Sequence, residues 1–193
     1  YVSKHYPEAI PVMAPVMTPM QAHAKLVHAD TPDAAIVFIG PCISKKAEVR
    51  KKTTEVEYAI TFDELAEWLR RQNVEIGKEP VGEKYLSRFF PVAGGILKTM
   101  EKNPGWRYLA VDGPENCMAA LRDAVAGKLE GCFVEMNFCT GSCIGGPDFR
   151  KHARSLAASA LQVEKAAVEQ GAGEEGAPDF PQTKPCALDA ELR

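Results

Sequence analysis

Closely spaced cysteines and glycines can hold a soft metal, and this chain carries such a set in Cys139-Thr-Gly-Ser-Cys143-Ile-Gly-Gly146. Thiolates bind soft metals and iron–sulfur clusters, and glycines let a backbone turn tightly and aim N–H groups at sulfur. Gly141, Gly145 and Gly146 suit that purpose. A second stretch, Pro41-Cys42-Ile-Ser-Lys45-Lys-Ala-Glu48, adds a further thiol, followed by a lysine and then a glutamate. One C-x-x-x-C pair alone fits two buried thiols as well as it fits a metal site, and the second stretch is what favours the metal. Lys45, Glu48 and Glu135 each also admit a plainer reading, as a solvated lysine and as carboxylates paired with nearby bases such as Lys46 or Arg50.

Each stretch follows an apolar run. Residues 34–40 form a continuous run of strand length, suited to a sheet buried on both faces. Residues 132–134 begin another run, which delivers the Cys139 loop, with Cys132 expected in the core. Open α/β sheets gather ligands at the carboxyl ends of their strands, where Cys42 and Lys45 stand. Thr18-Pro19-Met20-Gln21 and Thr61-Phe62-Asp63-Glu64 are capping boxes. They predict helices from Pro19 to about His28 and from Thr61 to Arg71, the second with Trp68 in the core.

Residues 55–60 and 107–111 read as strands, and 115–126 as an amphipathic helix stopped by Gly127, with Cys117 a small buried hydrophobe in its first turn. Residues 77–82 read as a polar loop. Phe89-Phe90-Pro91-Val-Ala-Gly94-Gly95 reads as a turn into a helix over 95–102, its double glycine fitting either close packing or the approach of a cofactor. An alanine-rich helix is expected over 149–169, ending at Gly171, and residues 171–193, Cys186 among them, read as a tail or linker.

The composition, 46% hydrophobic and 25% charged over 193 residues, is that of a globular domain large enough for a sizeable core. A formal net charge of −3 offers no basic footprint for nucleic acid or an acidic membrane. No apolar run approaches the roughly 20 residues that a spanning helix needs. Six cysteines in a chain of this length fall short of disulfide-scaffold density, so a reducing cytoplasm is expected. The start at Tyr1 leaves an upstream signal open.

Together the two cysteine stretches resemble the C-terminal domain of the large subunit of the [FeFe]-hydrogenases. Pro41 to Glu48 matches that family's P-C-x-x-K-x-x-E signature in full, and Glu135 to Gly146 is similar to its E-x-M-x-C-x-x-G-C-x-x-G signature. The likeness runs from about Tyr1 to Pro147. It implies an α/β, iron-only hydrogenase-like fold, with short, mostly parallel sheets flanked by helices in two intertwined lobes. The implied domains are a cluster-binding domain over 1–147, a C-terminal helix over 148–170 and a tail or linker over 171–193.

The resemblance further implies a [4Fe–4S] cluster held by Cys42, Cys139 and Cys143, with Cys143 in the position that bridges to a diiron subcluster. The remaining ligand belongs to a T-S-C-C-P signature expected upstream of Tyr1. By the same likeness Lys45 faces a cyanide of the diiron unit, Glu48 and Glu135 are motif glutamates, and Phe90, Gly94, Gly95 and Gly141 lie near the cofactor. Four departures argue against a working diiron pocket: Asn137 and Gly40 stand where the family has methionine, Ala14 where its catalytic members have a serine in the proton path, and Met20 where it has a glutamine after Ser-Pro. The expected function is redox sensing or electron transfer in a larger regulatory protein, with a redox partner or fused ferredoxin-like or signalling modules. A catalytic hydrogenase and a structural or zinc-binding scaffold are the alternatives.

Overall fold

A computed structural model describes residues 1–75, 77, 86–152 and 155–167. Most of the expected loop at 77–82 and everything after Ala167, Cys186 included, lie outside the described residues. The chain opens with α1 (Val2–His5) and a 3₁₀ turn (Pro7–Val12), then runs through α2 (Pro19–Asp30), β1 (Ile36–Ile39), α3 (Ile43–Arg50), β2 (Val56–Ile60) and α4 (Phe62–Arg71). A 3₁₀ turn at Leu86–Phe89 leads to β3 (Arg107–Asp112), α5 (Pro114–Val125) and β4 (Cys132–Asn137). The last elements are a 3₁₀ turn at Ser142–Gly145, α6 (Pro147–Arg150) and α7 (Leu156–Ala167).

Both capping boxes form. The Thr18 side chain accepts from the Gln21 N–H at 3.4 Å, while Gln21 Oε1 accepts from the Thr18 N–H at 3.1 Å. Thr61 and Glu64 make the same exchange at 3.3 and 2.8 Å. Each cap satisfies amide groups that the first helical turn leaves without partners.

The strands pair in two parallel two-stranded sheets, β1 with β2 and β3 with β4. Parallel neighbours need a crossover, supplied by α3 in the first unit and α5 in the second. Met20 and Ala24 of α2 and Val56 of β2 form a buried cluster, with Ile36, Phe38 and Val49 packed against it. In the second unit Cys117 and Leu121 of α5 are buried, as expected for Cys117, and the turn at Pro7–Val12 packs on that helix.

The two units are interleaved along the chain. Tyr1 stacks on Phe138 with ring centroids 4.8 Å apart, so the amino-terminal residues belong with the second unit. The α6 segment reaches back to the first, where Phe149 packs edge-on against Phe62 at 6.0 Å, and His152 and Lys151 meet Asp63 at 2.9 and 3.4 Å. This is the two-lobed α/β arrangement expected.

Five expectations need correction. Cys132, the first residue of β4, is only half-buried rather than in the core. The β1 strand is covered on one face only: Ile36 and Phe38 point to the core, while Val37 and Ile39 are 44% and 42% exposed. Both α2 and α3 pack on the Ile36 and Phe38 side, which leaves the alternate side chains outside. Trp68 is exposed, because Leu65 and Leu69, four residues apart, take the inward stripe of α4. Residues 95–102 form turns rather than a helix, their backbone drawn to a buried carboxylate of β4. The helix expected over 149–169 is interrupted: α6 stops at Arg150, and α7 starts afresh with Ser155 Oγ accepting from the Ala158 N–H at 3.1 Å.

Candidate metal centre

The first cysteine stands where β1 hands over to a helix. Cys42 is the N-cap residue of α3 in extended backbone, φ −92°. One turn into α3, Lys45 Nζ meets Glu48 Oε2 at 2.5 Å, and Glu48 Oε1 accepts from the Thr18 hydroxyl at 2.9 Å. Glu48 thus orients Lys45 and ties α3 to the cap of α2. The plainer reading of Glu48, pairing with Lys46 or Arg50, gives way to this, since Lys46 pairs with Glu64 instead.

The second loop follows β4. Gly141 has φ +82°, a left-handed conformation suited to glycine, and its N–H donates to Asp112 at the carboxyl end of β3. The next residue, Ser142, is also left-handed at φ +57°. For a residue with a Cβ this conformation costs on the order of 1–2 kcal/mol. Ser142 is fully buried and its Oγ has no hydrogen-bond partner. An unpaired buried hydroxyl costs about 1–3 kcal/mol more.

The two loops meet at Gly146. A Cβ built there would lie 3.9 Å from Cys139 Sγ and 3.8 Å from the Pro41 carbonyl oxygen. The aromatic and double-glycine segment joins them, the Ile144 N–H donating to the Pro91 carbonyl at 3.2 Å. Phe90 is half-buried beside Pro91, whereas Phe89 is the buried ring and carries Lys98 Nζ 3.7 Å from its centroid.

Glu135 holds this third segment in place. It is 6% exposed, and its oxygens accept from the N–H groups of Gly94 and Leu97, both at 3.2 Å, and from Asn137 Nδ2 at 2.8 Å. These donors leave neither carboxylate oxygen without a partner. Close packing also accounts for the second glycine, since a Cβ on Gly95 would fall 1.8 Å from the Phe89 carbonyl oxygen.

The sulfurs share one electrostatic environment. Burial pushes the Cys143 thiol up, Cys42 and Cys139 push it further, Lys45 opposes them and Glu135 adds to them. Burial likewise raises the Cys139 thiol, with Cys42 adding and Arg150 opposing. Three thiols that repel one another as thiolates, beside one ammonium, fit a cationic iron–sulfur centre, because a coordinated thiol gives up its proton. They supply three of the four cysteines that a cubane takes. Among the described residues no three Cys, His, Asp or Glu side chains are grouped as ligands of a single ion.

Both methionine departures have a local structural counterpart. At Gly40 a Cβ would lie 2.7 Å from Phe38 Cζ, so the Phe38 ring occupies the space a side chain would need. Asn137 gives its amide to Glu135. Ser142 and Asp112 were not singled out from the sequence. The available signal for Ser142 was its position directly before Cys143, where the resembled signature has glycine.

The sequence pattern of the family described as iron only hydrogenase large subunit, C-terminal domain, matches residues 1–105 and 98–147. No curated protein matches the chain by sequence. Among solved structures, an [FeFe]-hydrogenase variant from Chlamydomonas reinhardtii is similar at TM-score 0.59 and 16% identity, covering 88% of this chain and 63% of its own. The apo form of another variant from that organism aligns at TM-score 0.58 and 16% identity over the same shares of the two chains. The structure reporting stepwise H-cluster assembly in an [FeFe]-hydrogenase aligns at TM-score 0.58 and 17% identity, again over 88% and 63%. The chain thus spans less than two thirds of these structures, and at such identities the likeness is one of fold. With the family pattern covering both cysteine loops and the fold shared, the chain belongs to the family defined by the C-terminal domain of the iron-only hydrogenase large subunit.

Proposed function

We propose that this domain binds a [4Fe–4S] cluster through Cys42, Cys139 and Cys143, with a fourth thiolate from outside this chain, and serves redox sensing or electron transfer in a larger protein. The observation that carries the reading is the placement of Cys42 just after β1 and of Cys139 and Cys143 in the loop after β4, with the two loops meeting at Gly146. When bound, the cluster supplies a one-electron couple. Lys45 offsets the negative charge of the thiolates, Glu48 holds Lys45 in place, and Glu135 fixes the segment through Phe90, Gly94 and Gly95 that lines the site. Gly141 allows the turn between Cys139 and Cys143.

Catalysis of hydrogen turnover is the second reading, favoured by the Lys45 charge acting on the Cys143 thiol and by the full match of Pro41 to Glu48. Against it stand the Phe38 ring over Gly40 and the commitment of Asn137 to Glu135, which replace two methionines of the resembled signatures. A diiron subcluster is therefore left out of the proposed function. The described cysteines are all free thiols, which suits a reducing setting such as the cytoplasm, and no described helix is long and apolar enough to cross a membrane. The proposed partners are a redox protein or fused ferredoxin-like or signalling modules.

The test is anaerobic reconstitution of the chain together with any native sequence preceding Tyr1, followed by iron and acid-labile sulfide assays and an EPR spectrum after reduction. A [4Fe–4S] signal that is lost in Cys42→Ser and Cys139→Ser proteins is expected, with no hydrogen uptake or evolution. Iron-free wild-type protein would sink the reading, and hydrogen turnover would move it to the second.

A further inference from the structure

Thr18 does more than begin α2. Its hydroxyl accepts from the Gln21 N–H at 3.4 Å and donates to Glu48 Oε1, 30 residues away in sequence, at 2.9 Å. Gln21 Oε1 is farther from the hydroxyl, at 3.3 Å, and already takes the Thr18 N–H, so the one hydroxyl proton goes to Glu48. The other oxygen, Glu48 Oε2, holds Lys45 Nζ at 2.5 Å. The Lys45 and Glu48 side chains are only 19% and 21% exposed, so little of the water that weakens a surface ion pair reaches them. The Lys45 N–H donates to the Cys42 carbonyl at 3.2 Å, which seats the lysine one turn from the first thiol, and its charge also acts on Cys143. The next residue, Lys46, turns instead to Glu64. Capping alone does not account for a hydroxyl at position 18, since aspartate caps a helix at least as well. An aspartate would repel Glu48, whereas a hydroxyl accepts from one partner and donates to another.

We propose that Thr18 is a positioning residue: through Glu48 it fixes the Lys45 ammonium near the cysteine ligands and so raises the reduction potential of the bound cluster. Net charge is among the factors that set iron–sulfur potentials, and a nearby cation favours the reduced form, which carries one more negative charge. That interaction weakens with distance, and a lysine charge rides on a flexible stem, so its effect depends on what holds it. Without the threonine hydroxyl, Glu48 keeps Lys45 but loses its anchor on α2, and the pair is free to swing toward solvent. The proposal rests on the cluster reading above and adds to it a residue outside both cysteine stretches.

The test compares wild-type protein, with any native sequence preceding Tyr1, with Thr18→Ser, which keeps the hydroxyl, and Thr18→Gly, which drops it yet still caps a helix. In metal-free protein, acylation of the lysines by an amine-selective reagent is followed by mass spectrometry, with Lys46 as the internal control. Lys45 is expected to react severalfold faster in Thr18→Gly and at the wild-type rate in Thr18→Ser, with Lys46 unchanged in both. After reconstitution to full iron and sulfide content, EPR-monitored potentiometric titration is expected to show a lower potential in Thr18→Gly alone. A fall of about 59 mV corresponds to a tenfold drop in the reduced-to-oxidised ratio at fixed potential for one electron. In a Lys45→Met background the shift is expected to vanish. Unchanged Lys45 labelling overturns the positioning role. An unchanged potential, or an equal fall in the Lys45→Met background, overturns the tuning through Lys45. Wild-type protein without iron and sulfide overturns the cluster reading itself, while the labelling still decides whether Thr18 holds Lys45.

Discussion

The two cysteine loops occupy equivalent places, each at the carboxyl end of a strand, yet they are built differently. The Cys42 loop is made from neighbours in sequence. Its cysteine caps α3, and Lys45 and Glu48 follow within that helix's first turns, with Thr18 and, through Lys46, Glu64 as distant contacts. The Cys139 loop has two left-handed residues in a row and depends on distant groups: Asp112 of β3 on Gly141, and Pro91 on Ile144. A side chain at a helix terminus is held by local backbone, whereas a tight irregular loop holds its shape only where other segments grip it.

That contrast predicts unequal sensitivity to mutation. The largest effect is expected for Glu135→Ala, which strips the acceptor from two backbone N–H groups and from Asn137. Loss of about 3 kcal/mol is expected in urea unfolding, since each orphaned buried donor costs roughly 1–3 kcal/mol. Retention of wild-type stability would break the comparison.

Next is Asp112→Ala, which frees the Gly141 N–H and removes a charge from beside Cys117. A loss of about 2 kcal/mol is expected, typical of a hydrogen bond to a charged group. The Cys117 thiol, raised by burial and then by Asp112, should also react with an alkylating agent at lower pH than in the wild type. For the helix-built loop, Thr18→Ala removes a cap and the tie to Glu48, and about 1 kcal/mol is the expected loss. If Thr18→Ala proved more damaging than Asp112→Ala, the Cys42 loop would be the more dependent of the two on distant contacts.

The smallest effect concerns the clasp between α4 and α6. Burial pulls the Asp63 carboxyl up, but hydrogen bonds from His152 and Lys151 outweigh it and leave the group below its ordinary value of 3.8. A carboxyl depressed in the folded state contributes stability above its unfolded value and loses it as pH falls through the folded value. Asp63→Asn should therefore flatten the stability profile only on the acid side of pH 3.8, as read by denaturant unfolding at stepped pH. Because the clasp is exposed, a small change is expected.

Features that depend on neighbours in sequence were legible in advance. The capping boxes at Thr18 and Thr61, the strands ahead of Cys42 and Cys139, and the parallel βαβ order all appear where spacing and polarity placed them. Trp68 was not legible, because apolar periodicity marks a stripe but does not say whether a partner covers it. Nor was the break after Arg150, where alanine-rich sequence favours helix while Lys151 and His152 are engaged with Asp63.

The sequence by itself determined which groups can do chemistry here: three thiols, one lysine after Pro-Cys, and the family whose motifs they match. Local spacing suffices for that, since a cap or a strand-to-loop handover needs only neighbouring residues. Tertiary structure alone decided that Glu135 grips Gly94 and Leu97, that Asp112 grips Gly141, and that Ser142 is sealed in without a partner. These depend on segments tens of residues apart meeting in space. Burial is what gives them their consequence, because a polar group in water exchanges partners freely while one shut inside must find its partner in the fold or in what the fold binds.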